Sequence, residues 1–187
     1  MKKTELWATP IYEFDLGVTP ENNKAIFSFL DKNIESDYVV GVDVQKMNNP
    51  LIKDLYEEIH TCLHSVVYDT YPQKYVYKLT RSWMSRQKPG KNLDVHAHGG
   101  IAFAAVYYVN VPDNSGDLLL LDPRGGVNWF SETAGTNSSQ IYHRIKPKAG
   151  HLVVFPGFLL HEVETNKSQD VRMCIANNII VVPREFA

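Results

Sequence analysis

At Tyr71-Pro72 the periodicity of this sequence changes for the rest of the chain, from helical spacing to short alternating runs separated by turn residues. From Tyr75 onward, runs rich in Val, Ile, Tyr and Leu fall at 75–87, 93–98, 101–111, 116–121, 141–145, 151–155, 160–164 and 171–182. The breaks between them carry turn chemistry, as in Lys88-Pro89-Gly90, Pro112-Asp113-Asn114-Ser115-Gly116, Pro147-Lys148-Ala149-Gly150 and Asn166-Lys167-Ser168. About eight short strands in succession predict a mainly β fold of the jelly-roll or cupin-like kind, a double-stranded β-helix barrel with helices packed outside it. Ahead of the change, Leu6 to Leu16 reads as an opening strand. Thr19-Pro20-Glu21 starts a helix carrying Ile26, Phe27, Leu30 and Ile34 at helical spacing. Asn49-Pro50 starts a second helix, with Leu51, Leu55, Ile59, Cys62 and Val66 as its apolar stripe.

A length of 187 residues suits one domain, in which 1–74 supplies a strand and supporting helices and 75–187 the barrel. A net charge of −2 gives no electrostatic case for nucleic acid or an anionic membrane as partner. The start, MKKTELWATPIYEF, has no apolar run or small-residue cleavage site after its lysines, and no stretch approaches the ~20 apolar residues that span a bilayer, so the expected location is cytoplasmic. Cys62 and Cys174, far apart and in different predicted elements, could pair in a disulfide but read rather as two buried free thiols of a reducing compartment.

The chemistry concentrates on histidines. His96-Ala97-His98 lies in a predicted strand, where residues two apart point the same way, so both imidazoles can converge on one point. His161, in Leu159-Leu160-His161-Glu162-Val163, is the natural third ligand, and three protein ligands with open positions suit a catalytic metal. A lone histidine is more often a core or surface residue, but a pair plus a later strand histidine reverses that preference. Arg172 heads the last strand and carries the group best shaped to hold a carboxylate by paired hydrogen bonds. His60 and His64 read as a solvated helix face, His143 and His151 as structural, and Trp83, Tyr107, Phe155 and Phe158 as barrel core. Trp129 and Phe130, in the long connection 122–140, either cover a substrate or tack down a surface loop.

The stretch from His96 to Gly125 resembles the catalytic region of 2-oxoglutarate oxygenases of the prolyl-hydroxylase type. Their H-x-D, Tyr-Tyr-Leu-Asn strand and Gly-rich strand correspond to His96-Ala97-His98, Tyr107-Tyr108-Val109-Asn110 and Ser115-Gly116-Asp117-Leu118. Pro147 to Gly150, Leu152 to Phe155, His161-Glu162-Val163 and Arg172 continue the match, which covers roughly residues 80–182. Short relatives from marine bacteria and phages resemble it more closely still, with H-x-H, a Leu-x-Asp-Pro-Arg turn, and an Arg followed six residues later by Asn, here Asn178. The resemblance implies Fe(II) and 2-oxoglutarate as cofactors, His96 and His161 as metal ligands, and Arg172 with Tyr108 on the distal carboxylate of 2-oxoglutarate. It also implies O₂ as cosubstrate and hydroxylation as the reaction. Gln87 stands where the family often has a further tyrosine, and it joins Tyr108, Arg172 and Asn178 as a candidate cosubstrate contact.

His98 departs from the prolyl-hydroxylase pattern, which has Asp there. Three readings stay open: His98 completes a three-histidine site, Asp94 supplies the carboxylate from the same strand face, or an exogenous anion fills the position. Two other function classes also stay open, a three-histidine cupin-like enzyme that does not use 2-oxoglutarate and a non-catalytic β-barrel binding module. The substrate expected is a small molecule or an amino-acid or peptide side chain, and exposed strand edges make a homodimer the expected assembly.

Overall fold

Each helix begins where the sequence puts a capping side chain next to a proline. In the computed structural model, which describes residues 2, 8–35, 42–124 and 141–187, Thr19 is extended and its hydroxyl accepts from the Asn22 amide, with Pro20 opening α1 (Pro20–Asn33). Asn49 accepts from the Leu51 and Ile52 amides to open α2 (Pro50–Thr70). The buried face of α2 is Ile52, Leu55, Tyr56, Ile59, Leu63, Val66 and Val67. The expected stripe members Leu51 and Cys62 are only half-buried, so the helix is rotated by about one residue from the sequence reading and Ile52 and Leu63 take the core positions instead.

Among the described residues, nine strands follow the expected order: β1 (Tyr12–Asp15), β2 (Tyr75–Gln87), β3 (Leu93–His96), β4 (Phe103–Asn110), β5 (Leu118–Leu121), β6 (Tyr142–Ile145), β7 (His151–Pro156), β8 (His161–Val163) and β9 (Arg172–Pro183). They form two antiparallel sheets, one in the order β1-β7-β4-β9-β2 and one in the order β3-β8-β5-β6. This is the expected double-stranded β-helix architecture, although among the described residues the two sheets are not hydrogen-bonded into one closed barrel.

The five-stranded sheet has two different faces, set by alternation along its strands. Met173, Ile175 and Ile179 of β9 pack with α1 and α2, together with Met84, Phe103 and Tyr107. Cys174, between them, faces the other way and packs with Ala104, Tyr108, Leu118, Phe155 and Val163 between the sheets. The helices therefore close the outer face, and the inner face is left to form a site.

Some sequence expectations shift. β3 stops at His96, so His98 lies just beyond the strand rather than within it. Phe158, expected in the barrel core, is 64% exposed in a turn after β7. Trp129 and Phe130 lie outside the described residues, as does most of the connection 122–140. Both cysteines are free thiols, Cys62 half-buried and Cys174 buried. Among the described residues no helix is long and apolar enough to cross a membrane.

Candidate active site

His96 of β3 stands directly opposite His161 of β8. The pairing of these strands is irregular between Leu93 and His96: Leu93 faces Val163 and His96 faces His161, so the two inward residues are three apart instead of two. Such an irregularity reverses the side of everything within it. Asp94, expected on the same face as His96, is instead exposed and its carboxylate accepts from the Asn92 amide group at 2.8 Å. His98 reaches the site from the following turn, held by its backbone amide donating to the Gly157 carbonyl at 2.9 Å. One ligand nitrogen from each of His96, His98 and His161 lies within 4.8 Å of the others, and Asp94 is not part of the cluster. The ring centroids are 4.2 Å (His96–His161), 5.3 Å (His96–His98) and 5.2 Å (His98–His161) apart.

Backbone carbonyls orient two of the rings. Nδ1 of His96 lies 2.8 Å from the Asp94 carbonyl and Nδ1 of His161 lies 2.9 Å from the Leu159 carbonyl. A carbonyl only accepts, so each Nδ1 carries a proton and Nε2 is the ring nitrogen left for a metal. His161 is 4% exposed. Burial pushes its pKa down to about 4, opposed by the bond to Leu159 and aided by the neighbouring His96 and His98. Burial, then His96, also lowers His98. Burial therefore favours the neutral imidazole at His98 and His161, the form in which histidine binds metals.

Arg172, 2% exposed, heads β9 on the same inner face. Its Nη1 donates a very short hydrogen bond to Oε1 of Gln87, the cross-strand neighbour in β2, while its Nε is buried without a partner. The guanidinium carbon sits 5.2 Å from the centre of the Tyr108 ring, and the Tyr108 hydroxyl is likewise buried and unpartnered. Burial holds that hydroxyl well above its ordinary pKa, only partly offset by Arg172, so it stays protonated and able to donate. Orphaned buried donors carry a desolvation cost that a bound anion would relieve. The histidines and the Arg172–Tyr108–Gln87 group line one cavity of about 40 Å³, enclosed also by Trp83, Ser85, Leu118, Val163 and Cys174. Two wider surface clefts, of about 580 and 540 Å³, contain none of these groups.

Of the expected site residues, His96, His98, His161, Arg172, Tyr108 and Gln87 come together. Asn178 does not: it shares their face of β9 but lies beyond Ala176, past the cavity lining and at the opposite end from Arg172. His60 is bonded to Tyr77 on the helix surface, and neither it nor His64, His143 or His151 joins the cluster. Trp83, read as simple core, lines the cavity with its ring 5.9 Å from that of His98. Ser85 and Cys174 were missed, although both follow from stepping by two along β2 from Gln87 and along β9 from Arg172.

No curated protein matches the chain in sequence. Among solved structures it is similar to a prolyl-4-hydroxylase from Pseudomonas putida (14% identity, 91% of this chain and 86% of that one covered, TM-score 0.62). It is also similar to the viral collagen prolyl hydroxylase of Paramecium Bursaria Chlorella virus-1 (15%, 96% and 98%, TM-score 0.59). A third similar structure is HygX from Streptomyces hygroscopicus, solved with nickel and 2-oxoglutarate bound (13%, 91% and 81%, TM-score 0.63). At these identities the likeness establishes the fold. The family described as "Putative 2OG-Fe(II) oxygenase" matches residues 81–178, just over half of the chain and the whole stretch that carries the site. The chain therefore belongs to that family, and is an oxidoreductase that uses Fe(II) and 2-oxoglutarate.

Proposed function

We propose that this enzyme is a dioxygenase that hydroxylates a small-molecule or amino-acid or peptide substrate, with His96, His98 and His161 holding Fe(II) and with Arg172 and Tyr108 holding the distal carboxylate of 2-oxoglutarate. The observation that carries this reading is the pairing, in one cavity, of a three-histidine cluster with an orphaned Arg172 Nε and Tyr108 hydroxyl. A metal suits the first and a carboxylate suits the second. Supporting His98 over Asp94 as third ligand is the outward turn of Asp94 described above. When bound, Fe(II) with 2-oxoglutarate and O₂ supplies the oxidising chemistry that hydroxylates a C–H bond, leaving succinate and CO₂.

The chain's own residues supply position and environment. The carbonyls of Asp94 and Leu159 fix the His96 and His161 rings, so their Nε2 atoms stay aimed at one point. Gln87 occupies one Arg172 nitrogen and thereby fixes the guanidinium plane, leaving its Nε edge for the ligand. The Tyr108 hydroxyl donates to the same carboxylate, and Leu118, Val163 and Trp83 exclude water around it. In this reading 1–187 acts as one domain, with 1–74 supporting the barrel.

The test is anaerobic. Fe(II) and then 2-oxoglutarate are added to metal-free protein, and the weak visible charge-transfer band of a chelated 2-oxo acid is sought. The band should appear in wild type and fade in Arg172→Ala while iron is retained, and His161→Ala should fail to hold iron. Iron bound with no band would favour a 2-oxoglutarate-independent three-histidine enzyme, and no stoichiometric iron would favour a binding module.

A further inference from the structure

Along β2 the residues that face the cavity are Gln87, Ser85 and Trp83, and along β9 they are Arg172, Cys174 and Ala176. One more step of two brings Arg81 and Asn178, which are direct cross-strand partners. The step is real despite a bulge, because the register shift falls between Leu79 and Arg81, just before the pair, and the Thr80 hydroxyl donates to the Asn178 carbonyl at 3.1 Å and anchors it. The Trp83–Ala176 row is level with His98, whose ring Trp83 contacts. The Arg81–Asn178 pair therefore sits ~7 Å further out, on the side of the histidines away from Arg172.

Two features mark this pair as built for a ligand. Arg81 is exposed on the inner face, and among the described residues no carboxylate or carbonyl pairs with it. Asn178 has its side-chain oxygen buried without a hydrogen-bond partner. Their neighbours on the same face are the small Ala104 and Ala176 and the Trp83 indole, whose ring lies 5.9 Å from that of His98 and so links the pair to the metal cluster. Cross-strand partners have Cβ atoms ~5 Å apart, a spacing at which a guanidinium and an amide oxygen can hold two groups on a single carbon. A guanidinium takes a carboxylate, and an amide oxygen takes an N–H donor.

We propose that Arg81 and Asn178 form the substrate subsite and that its substrate is an α-amino acid, its carboxylate on Arg81 and its amino group on Asn178. This rests on the oxygenase reading above, and it moves Asn178 from the cosubstrate to the substrate.

The test uses the anaerobic Fe(II)- and 2-oxoglutarate-loaded protein and the common free L-amino acids, added one at a time while the charge-transfer band is monitored. At least one amino acid shifts the band saturably, and its carboxamide binds about tenfold or more weakly, because it lacks the charge that Arg81 pairs with. Arg81→Gln weakens the acid to the level of the carboxamide, Arg81→Lys recovers part of the affinity, and Asn178→Ala weakens the acid without changing the 2-oxoglutarate dissociation constant. A screen in which no amino acid moves the band, or an acid and carboxamide bound equally, overturns the proposal and leaves the oxygenase reading standing. An Asn178→Ala variant that loses 2-oxoglutarate instead returns Asn178 to the cosubstrate. Failure of the band to form at all, with iron bound, overturns the oxygenase reading and this proposal with it.

Discussion

His161 shows how one buried side chain ties stability to pH. Its pKa falls from an ordinary 6.5 to about 4, first because it is buried. Between those values the unfolded chain holds a proton that the folded chain does not, so stability is full above pH ~6.5 and declines as pH drops towards 4. For metal-free protein the loss from this residue is on the order of 3 kcal/mol. Urea midpoints measured in chelator at pH 7, 5.5 and 4 should fall further in wild type than in His161→Gln, and equal falls would mean that this imidazole is not buried neutral. Tyr108 is tested differently. Tyr108→Phe keeps the ring against Arg172 and removes only the unpartnered hydroxyl. It should weaken 2-oxoglutarate by about tenfold, the worth of one hydrogen bond to a charged group, and leave iron content unchanged. A parallel loss of iron would show that the hydroxyl supports the histidines rather than the cosubstrate.

The turns between strands place His98, and they do so through one glycine. A Cβ on Gly157 would lie 2.4 Å from Ile101 Cγ1 and 2.8 Å from the Ile101 carbonyl oxygen, so the 98–102 turn would have to move. The same Gly157 carbonyl holds the His98 amide, and its own amide donates to Ala102 at 3.0 Å. Gly157→Ala should cost ~1–3 kcal/mol and weaken iron binding, whereas Gly99→Ala, with nothing within 4 Å, should do neither. Thermal melts and iron titrations on the two variants check this. If both behave alike, the turn does not place His98. The same elements show what the sequence could and could not convey. Helix starts were legible because Thr19-Pro20 and Asn49-Pro50 are local signals, and the strand succession was legible from alternation. The rotation of α2 was not, because Leu51 and Ile52 or Cys62 and Leu63 are equally apolar, and packing against the sheet decides between them. Asp94 was misread for a similar reason: the irregularity that turns it outward arises from pairing with β8, some 65 residues away. His96, His161 and Arg172 were legible because their chemistry is rare on strands, but the bulge that sets Arg81 opposite Asn178 leaves no trace in the local sequence.

At the scale of the molecule, the helices and the site lie on opposite faces of one sheet. β9 contributes Ile175 to the helix side and Cys174 to the site side, and β4 contributes Tyr107 and Tyr108 in the same way. Ile59 of α2 is fully buried in the core on the helix side of the sheet. Ile59→Ala should therefore destabilise by ~2–5 kcal/mol through the cavity it leaves. If 1–74 and 75–187 form one cooperative domain, the far-ultraviolet signal of the helices and the near-ultraviolet signal of the site aromatics melt together, in wild type and in the variant alike. Fe(II) with 2-oxoglutarate binds only the folded chain, so adding both should raise the variant's midpoint by about as much as wild type's, even though Ile59 lies across the sheet from the ligands. A helical signal that melts first, with the aromatic signal and the ligand-dependent shift surviving, would show the barrel standing by itself and would make the helices a dispensable support.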